Sequence, residues 1–198
     1  MSWGNLMSMA LRNELREPAD DWALVVSSYN WDDWYQNMVA AAYHINSINP
    51  DVLIFFSGLS YDTYLTPVVQ GSDLGNGTTF RKSDFPFEDK IVLELHNYDN
   101  GETNCSNLEA ALYHDGFQAL NASDPTTKNV LPMVVTEWGF LQAPGSGGWQ
   151  SVYTTCLEKY LPQQRTGWML WVLAGSYYIR SGIQGYDETW GMSSPFLA

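Results

Sequence analysis

Basic residues are scarce in this chain. Of its 198 residues, 9 are Lys or Arg and 22 are Asp or Glu, which gives a formal net charge of −13. A chain with this charge repels phosphate backbones and anionic lipid headgroups, so the composition argues against nucleic-acid binding and against adsorption to membranes. The sequence also lacks any run of about 18 apolar residues, so no membrane-spanning helix is predicted.

Cysteine is equally scarce. The two cysteines, Cys105 and Cys156, are either free thiols or a disulfide as far as the residues alone indicate. Three N-glycosylation sequons begin at Asn76, Asn104 and Asn121. Together with the acidic charge they favour a secreted glycoprotein. The first residues have neither the basic start nor the cleavage motif of a signal peptide, so we expect the chain to begin downstream of its true start.

Aromatic residues, in contrast, are abundant. The chain has 9 Trp, 12 Tyr and 8 Phe. Most of these rings are expected in the core, because aromatic side chains dominate core burial. The remainder suit a protein that handles neutral sugars, since the apolar face of a pyranose ring stacks on an aromatic ring. No repeat, linker or low-complexity tract divides the chain, so residues 1–198 are predicted to form one domain.

Short apolar runs alternate with helical patterns along the chain. Five runs are predicted strands: Leu6–Leu11, Val52–Phe56, Ile91–Leu95, Met133–Thr136 and Trp168–Leu173. Three stretches have helical spacing: Trp31–Ile48, Leu108–Leu120 and Trp149–Leu161, the last stopped by Pro162. Alternating strands and helices predict a parallel sheet. Five strands are too few to close an eight-stranded barrel, so the sheet is either open or part of an incomplete barrel.

Polar residues follow four of these apolar runs. They are Asn13 with Glu14, His96 with Tyr98, Glu137, and Trp171. In parallel α/β folds the active site gathers at the carboxyl ends of the strands. Two carboxylates at such ends suit glycosidic cleavage with retention, which needs two carboxyl groups about 5–5.5 Å apart.

The stretches around these residues resemble glycoside hydrolase family 5, the cellulase-like (β/α)8 barrels. The matching stretches are Leu11–Pro18, Leu93–Tyr98, Val134–Gly139 and Gly167–Trp171, which resemble the fourth, sixth, seventh and eighth strands of the family in that order. Two further stretches, Tyr29–Tyr35 and Leu173–Arg180, look like a fungal-type branch. The resemblance implies an incomplete (β/α)8 TIM barrel with strands four to eight present. It also implies that three strands before Asn13 and a helix after residues 187–191 are missing.

The resemblance also implies roles for the polar residues. Glu14 matches the general acid/base and Glu137 the nucleophile. Asn13 would bind the sugar 2-hydroxyl, Tyr98 would hold Glu137, and His96 would lie near Glu14. The three histidines, His44, His96 and His114, are widely separated and match no metal spacing, so no metal is expected, and no cofactor is expected either.

Further residues have looser assignments. Trp171 would form the floor of the subsite that holds the reacting sugar. Trp138 is assigned to substrate binding, with Trp31, Trp34 and Tyr61 as weaker candidates, and simple packing is the alternative for each of these four. The resemblance places Cys105 and Cys156 on the sixth loop and the seventh helix, which favours a disulfide.

The expected partner is a β-glucan or a related oligosaccharide, and the parent protein is expected to be a retaining endo-β-1,4-glucanase. Two alternatives stay open: a β-glycosidase of other glycan or glycolipid specificity, and a non-catalytic carbohydrate-binding remnant. Because the missing strands usually carry orienting residues, the chain by itself is expected to be weakly active or inactive. The edges of its sheet are expected to be open and apolar. Its oligomeric state does not follow from the sequence.

Overall fold

The computed structural model of the protein describes residues 5–143, 145–173, 178–185 and 190–192. Residues 174–177, within the fungal-type stretch, and residues 187–189 lie outside this part. The chain divides into two compact units, which are Met1–Leu95 with Leu112–Val134 and His96–Ala111 with Val135–Ala198. No helix among the described residues combines the length and apolar character needed to cross a bilayer.

Five strands form one sheet in the order β1-β2-β3-β4-β5, and β2 pairs in parallel with both β1 and β3. The strands are β1 (Ser8–Ala10), β2 (Leu53–Phe56), β3 (Ile91–Asn97), β4 (Met133–Trp138) and β5 (Gly167–Leu170). The helices are α1 (Trp22–Ser28), α2 (Trp31–Ile48), α3 (Thr66–Gln70), α4 (Cys105–Asp115) and α5 (Val152–Gln163). A separate antiparallel hairpin consists of β6 (Tyr178–Arg180) and β7 (Ile183–Gly185).

The predicted strands are all present, and α2 has the predicted bounds. Two helix predictions were wrong in detail. The stretch predicted as one helix over Leu108–Leu120 consists of α4 and a separate 3-10 turn, Phe117–Leu120, because Gly116 favours a break between them. Pro162 does not stop α5, which ends one residue later, since a proline this close to the end removes few helical hydrogen bonds. The short elements α1, α3, β6 and β7 were not predicted.

Helix α2 shows how the sequence sets its own boundaries. The Asn30 side chain accepts a hydrogen bond from the Asp33 backbone N–H at 2.8 Å, which caps the helix, and Asp33 also lies favourably in the positive first turn. Trp34, Met38 and Ala42 recur every fourth residue and are the buried face of the helix. These contacts anchor α2 in the first unit.

An aromatic cluster forms part of the core of the first unit. Phe56 of β2 has its ring centroid 5.5 Å from that of Phe80 and 5.9 Å from that of Phe85. The Trp34 ring packs 6.3 Å from the Phe56 ring, and its indole N–H donates to the Ser57 carbonyl at 2.9 Å. Because that N–H is paired inside the core, burial of this large side chain costs no hydrogen bond.

The two outer strands of the sheet have apolar residues in contact with solvent. Met9 on β1 is 41% exposed, and Met7 just before it is 66% exposed. On β5, Trp168 and Met169 are 52% and 45% exposed. The expectation of apolar sheet edges is therefore confirmed for these side chains.

The second unit holds the disulfide between Cys105 at the start of α4 and Cys156 in α5, as expected. Tyr153 in α5 is fully buried, and its hydroxyl donates to the Asn97 carbonyl at 2.5 Å. Burial raises the pKa of Tyr153 well above its usual range, so the phenol stays protonated and remains a donor. The hydrogen bond attaches α5 to the end of β3, and the disulfide attaches it to the start of α4.

Removal of the disulfide is expected to lower the free energy of unfolding by about 2–4 kcal/mol. The bridge joins residues 51 positions apart, so the unfolded chain gains considerable freedom when it is absent. Urea unfolding of the Cys105→Ala/Cys156→Ala variant measures the loss, and the wild type under a phosphine reductant should match the variant. Equal midpoints for the oxidised wild type and the variant would contradict the prediction.

Asp124 makes the first unit sensitive to acid. Hydrogen bonds from Thr126 and from the Tyr113 hydroxyl hold the pKa of Asp124 well below its usual range. A carboxyl whose pKa is lowered by folding stabilises the fold above its unfolded pKa of about 3.9, and this contribution is lost as the pH falls further.

We therefore expect Asp124→Asn to lower the melting temperature at pH 7, and the difference from the wild type to shrink below about pH 4. Burial raises the pKa of Asp115, which acts in the opposite direction, but this effect is common to both proteins and cancels in the difference. Scanning calorimetry from pH 3 to 7 measures the gap, with the exposed Asp51→Asn as control. A gap that is constant with pH would contradict the assignment.

Candidate active site

Glu137 lies near the carboxyl end of β4, where the strand changes from fully buried to partly exposed residues. Its side chain is 19% exposed. The Tyr98 hydroxyl donates a hydrogen bond to Glu137 Oε2 at 3.0 Å, and His96 Nδ1 lies 3.6 Å from the same oxygen. A phenol hydrogen bond stabilises negative charge on a carboxylate, so the geometry suits an ionised, positioned Glu137.

The spacing of His96 and Tyr98 explains their common direction. His96 lies on β3 and Tyr98 directly follows the strand, and residues two apart in an extended chain project from the same face. The His96 side chain is buried, at 1% exposed. The expectation that His96 also lies near Glu14 stays a prediction, because Glu14 belongs to the first unit.

Asn100 positions the loop that carries Tyr98, and sequence reasoning missed it. Its side-chain amide donates to the Tyr98 carbonyl at 3.2 Å and to the Gly139 carbonyl at 3.0 Å. These bonds link the loop after β3 to the end of β4. The run Asp99-Asn100-Gly101 predicts a turn, but the sequence does not indicate that Asn100 bonds the Gly139 carbonyl.

On the expectation that Glu137 is a catalytic nucleophile, Tyr98→Phe should lower kcat/KM by roughly 10- to 100-fold, because a hydrogen bond to a charged group contributes about 1.5–3 kcal/mol. Initial rates at a fixed pH measure the loss. The control is Tyr43→Phe, whose hydroxyl donates to the Asp84 carbonyl. A kcat/KM equal to that of the wild type would show that the 3.0 Å contact has no role in the reaction.

Trp171 follows β5 and is 44% exposed, so part of its indole is open to solvent. Its backbone N–H donates to the Trp138 carbonyl at 2.7 Å. A Cβ on Gly139 would lie 2.4 Å from the Trp171 carbonyl oxygen, so only glycine permits this approach of the two chains. An exposed ring held by its backbone is suited to stacking on a sugar.

The substrate-binding role of Trp138 stays a prediction. Trp138 is 6% exposed, and its ring packs edge-on against Trp168 at 5.8 Å and Tyr153 at 6.4 Å. These ring contacts and the low exposure favour packing, the alternative given with that prediction. Trp34 is likewise a core residue, whereas Tyr61 is 51% exposed and keeps the Arg16 guanidinium 5.8 Å from its ring centroid.

Glu14 lies in the first unit, in the segment that follows β1. Its backbone has a left-handed φ of 48°, and its N–H donates to Asp62 Oδ2 at 2.6 Å. Asp62 is fully buried and ends a run of three left-handed residues, Ser60, Tyr61 and Asp62, with φ of 56°, 62° and 61°. Such conformations cost of order 1–3 kcal/mol each and cluster at functional sites, so Asp62 is a positioning residue for Glu14 that the sequence did not indicate.

The same segment is attached to the residues after β2. The Tyr61 backbone N–H donates to the Leu15 carbonyl at 2.8 Å, and the Ser57 hydroxyl donates to the Arg12 carbonyl at 3.1 Å. Asn13, between these contacts, is exposed, so its amide is accessible to a ligand. Glu14 is thus fixed on both sides by bonds to the loop after β2.

One group of potential metal ligands in the second unit is already used. Sulfur or oxygen atoms of Cys105, Glu109 and Cys156 lie within 4.8 Å of one another, but the two sulfur atoms form the disulfide. They are not thiolates and do not offer a metal the ligands that it needs.

The family model for cellulases of glycosyl hydrolase family 5 matches residues 4–176. The chain belongs to this family. A glycosyl hydrolase 5 family protein from Chamaecyparis obtusa is 29% identical over 200 residues, which cover 94% of this chain and 32% of that protein. The chain therefore spans about a third of the length of this family 5 relative.

Solved structures resemble the chain at low sequence identity. A cellulase–inhibitor complex has a TM-score of 0.66 at 16% identity, covering 98% of this chain and 54% of that one. An endocellulase from Pyrococcus horikoshii scores 0.64 at 15% identity, covering 96% and 53%. A β-glucanase from Saccharophagus degradans in complex with cellotetraose scores 0.58 at 17% identity, covering 85% and 45%. This likeness, with the strand order above, confirms the fold as an incomplete (β/α)8 barrel.

Proposed function

We propose that the protein hydrolyses β-linked glucans with retention, using Glu137 as the nucleophile and Glu14 as the general acid/base. The observation that carries the proposal is the Glu137 carboxylate, which lies at a strand end of a family 5 chain and accepts a hydrogen bond from Tyr98 at 3.0 Å. Strand ends are where parallel α/β folds hold their catalytic groups.

The reaction has two steps. In the first, a Glu137 oxygen attacks the anomeric carbon, the glycosidic C–O bond breaks, and Glu14 gives its proton to the leaving oxygen. In the second, Glu14 takes a proton from water, whose oxygen attacks the anomeric carbon and releases the Glu137 carboxylate. Asn13, which is exposed beside Glu14, binds the sugar 2-hydroxyl.

The proposed substrate is a β-1,4-glucan. Support comes from the family description as a cellulase and from the likeness in fold to a β-glucanase that binds cellotetraose. The half-exposed Trp171 ring offers an apolar surface for one glucose unit. Its position after β5 places it in the same unit as Glu137.

We also propose that the protein is secreted and glycosylated. The disulfide indicates an oxidising compartment. The sequon residues Asn76, Asn104 and Asn121 are all exposed, so each side chain is accessible for modification.

Covalent labelling tests the reaction. The protein is incubated with an activated 2-deoxy-2-fluoro-β-cellobioside, and its intact mass and peptide map are measured. We expect one glycosyl adduct on Glu137, absent from Glu137→Gln and retained in the exposed control Glu158→Gln. An adduct on another residue would refute the assignment, and glucan binding with neither adduct nor reducing-end release would favour a carbohydrate-binding remnant.

A further inference from the structure

A cleft in the first unit concentrates positive charge in an acidic protein. It has a volume of about 400 Å³ and lies beyond the end of α3. Its described lining residues are Gly71, Thr79, Phe80, Arg81, Lys82, Ser83, Lys128 and Asn129. Three of the nine Lys and Arg residues of the chain lie here, and no Asp or Glu is among the described lining residues.

Asn129 builds this cleft from distant segments. It is 3% exposed, and its side-chain oxygen accepts the Lys82 backbone N–H at 2.9 Å. Its amide donates to the Val68 carbonyl at 2.7 Å and to the Phe80 carbonyl at 2.9 Å. One buried side chain therefore holds the end of α3, the Phe80–Lys82 segment and the Lys128–Asn129 segment together. This is a fixed scaffold rather than a chance cluster of surface lysines.

The cationic groups retain capacity for a ligand. The Lys82 ammonium donates to the Val130 carbonyl at 3.0 Å and the Lys128 ammonium to the Pro125 carbonyl at 2.8 Å. Each ammonium has three donors, so these bonds orient the group and leave others available. Within the described part of the chain, Arg81, Lys82 and Lys128 form no ion pair.

We propose that this cleft binds a compact oxyanion, either a free anion or the carboxylate or sulfate of an anionic sugar. The lining supplies cations and the hydroxyls of Thr79 and Ser83, which suit an oxyanion. Among the described lining residues the one aromatic, Phe80, is fully buried, so no ring is available to stack on a neutral sugar. The cleft is large enough to take a monosaccharide-sized group.

The negative net charge of the protein disfavours non-specific binding of anions. A formal charge of −13 repels anions at long range, so an oxyanion that binds does so through local contacts. The cleft residues and the scaffold residue Asn129 all belong to the first unit and are separate from Glu137. The proposal is therefore independent of the hydrolase assignment and survives if that assignment fails.

Calorimetric titration at constant ionic strength tests the site, with sulfate, phosphate and glucuronate as ligands and glucose as the neutral control. We expect saturable binding of at least one anion and none of glucose. The Arg81→Gln/Lys128→Gln variant should bind at least ~10-fold more weakly, because two charge-assisted contacts are lost. Tightest binding of glucuronate would identify an anionic sugar, and binding of phosphate or sulfate alone would identify a free anion.

The control is Lys159→Gln, which removes one exposed charge from α5 in the second unit. It should change the affinity less than twofold, and the melting temperatures of all proteins should agree. Absence of saturable binding to all three anions would overturn the proposal. So would an equal loss of affinity in the cleft variant and the control, since that result reflects overall charge.

Discussion

Glu137→Gln is expected to lower kcat/KM on soluble β-glucan by at least ~10⁴-fold, because removal of a catalytic nucleophile eliminates the covalent route. Glutamine keeps the size of the side chain and still accepts the Tyr98 hydrogen bond, so folding should be unaffected. Reducing-end release measures the rate. The exposed Glu158→Gln serves as the matched control and should retain wild-type activity.

Two outcomes would contradict this assignment. Residual activity above about one hundredth of the wild type would be incompatible with loss of a nucleophile. Inversion of anomeric configuration, followed by NMR during the wild-type reaction, would exclude a glycosyl-enzyme intermediate, because a single displacement inverts the anomeric centre.

Glu14→Gln is expected to have an effect that depends on the leaving group. With polysaccharide, whose leaving oxygen needs a proton, the rate should fall by about 10²–10⁴-fold. With a 2,4-dinitrophenyl β-cellobioside, which leaves without protonation, the glycosyl-enzyme should form at nearly the wild-type rate. Its hydrolysis should then be slow, because the general base is missing.

Azide supplies the decisive readout for Glu14. A small anion that needs no general base should restore turnover of the aryl glycoside in Glu14→Gln and give β-glycosyl azide as product. The same addition to Glu137→Gln should not give the β-azide, since no glycosyl-enzyme forms there. Equal losses on both substrates, without rescue, would assign Glu14 a structural role and remove it from the acid/base position.

Substitutions at Glu14 can also affect the backbone conformation, apart from any effect on catalysis. Its backbone is held in a left-handed conformation by Asp62, 48 residues away, and Asp62 itself lies in a strained run. Glutamine keeps the backbone contact, so Glu14→Gln isolates the carboxyl group. Substitution of Asp62 would change both the fold and the site, and is a poorer test of catalysis.

Local sequence patterns anticipated the elements well where one face is consistently apolar. The strand β3 is a continuous apolar run, and the helix α2 has helical periodicity and an N-cap at Asn30; both appeared as expected. The short helices α1 and α3 were missed because five to seven residues contain too little periodicity to distinguish a helix from a loop. The break at Gly116 was missed because the surrounding apolar spacing continued across it.

The sequence by itself determined the chemistry available to this protein. Glu137 follows one apolar run, and His96 and Tyr98 follow another, which indicates the polar ends of parallel strands. His96 and Tyr98 are two residues apart, so they share a face of the extended chain. The low content of basic residues likewise argues against nucleic-acid binding, which stays a prediction. These inferences use only the residue types present and their spacing along the chain.

The tertiary structure alone decided which of these residues touch. The Tyr98–Glu137 contact joins residues 39 apart, and the Asn129 bonds to Val68 and Phe80 span 61 and 49 residues. Burial of Trp138, strain beside Asp62 and the basic cleft also follow from packing between distant segments. Such contacts depend on how distant segments pack and on strand register, which a sequence pattern does not specify.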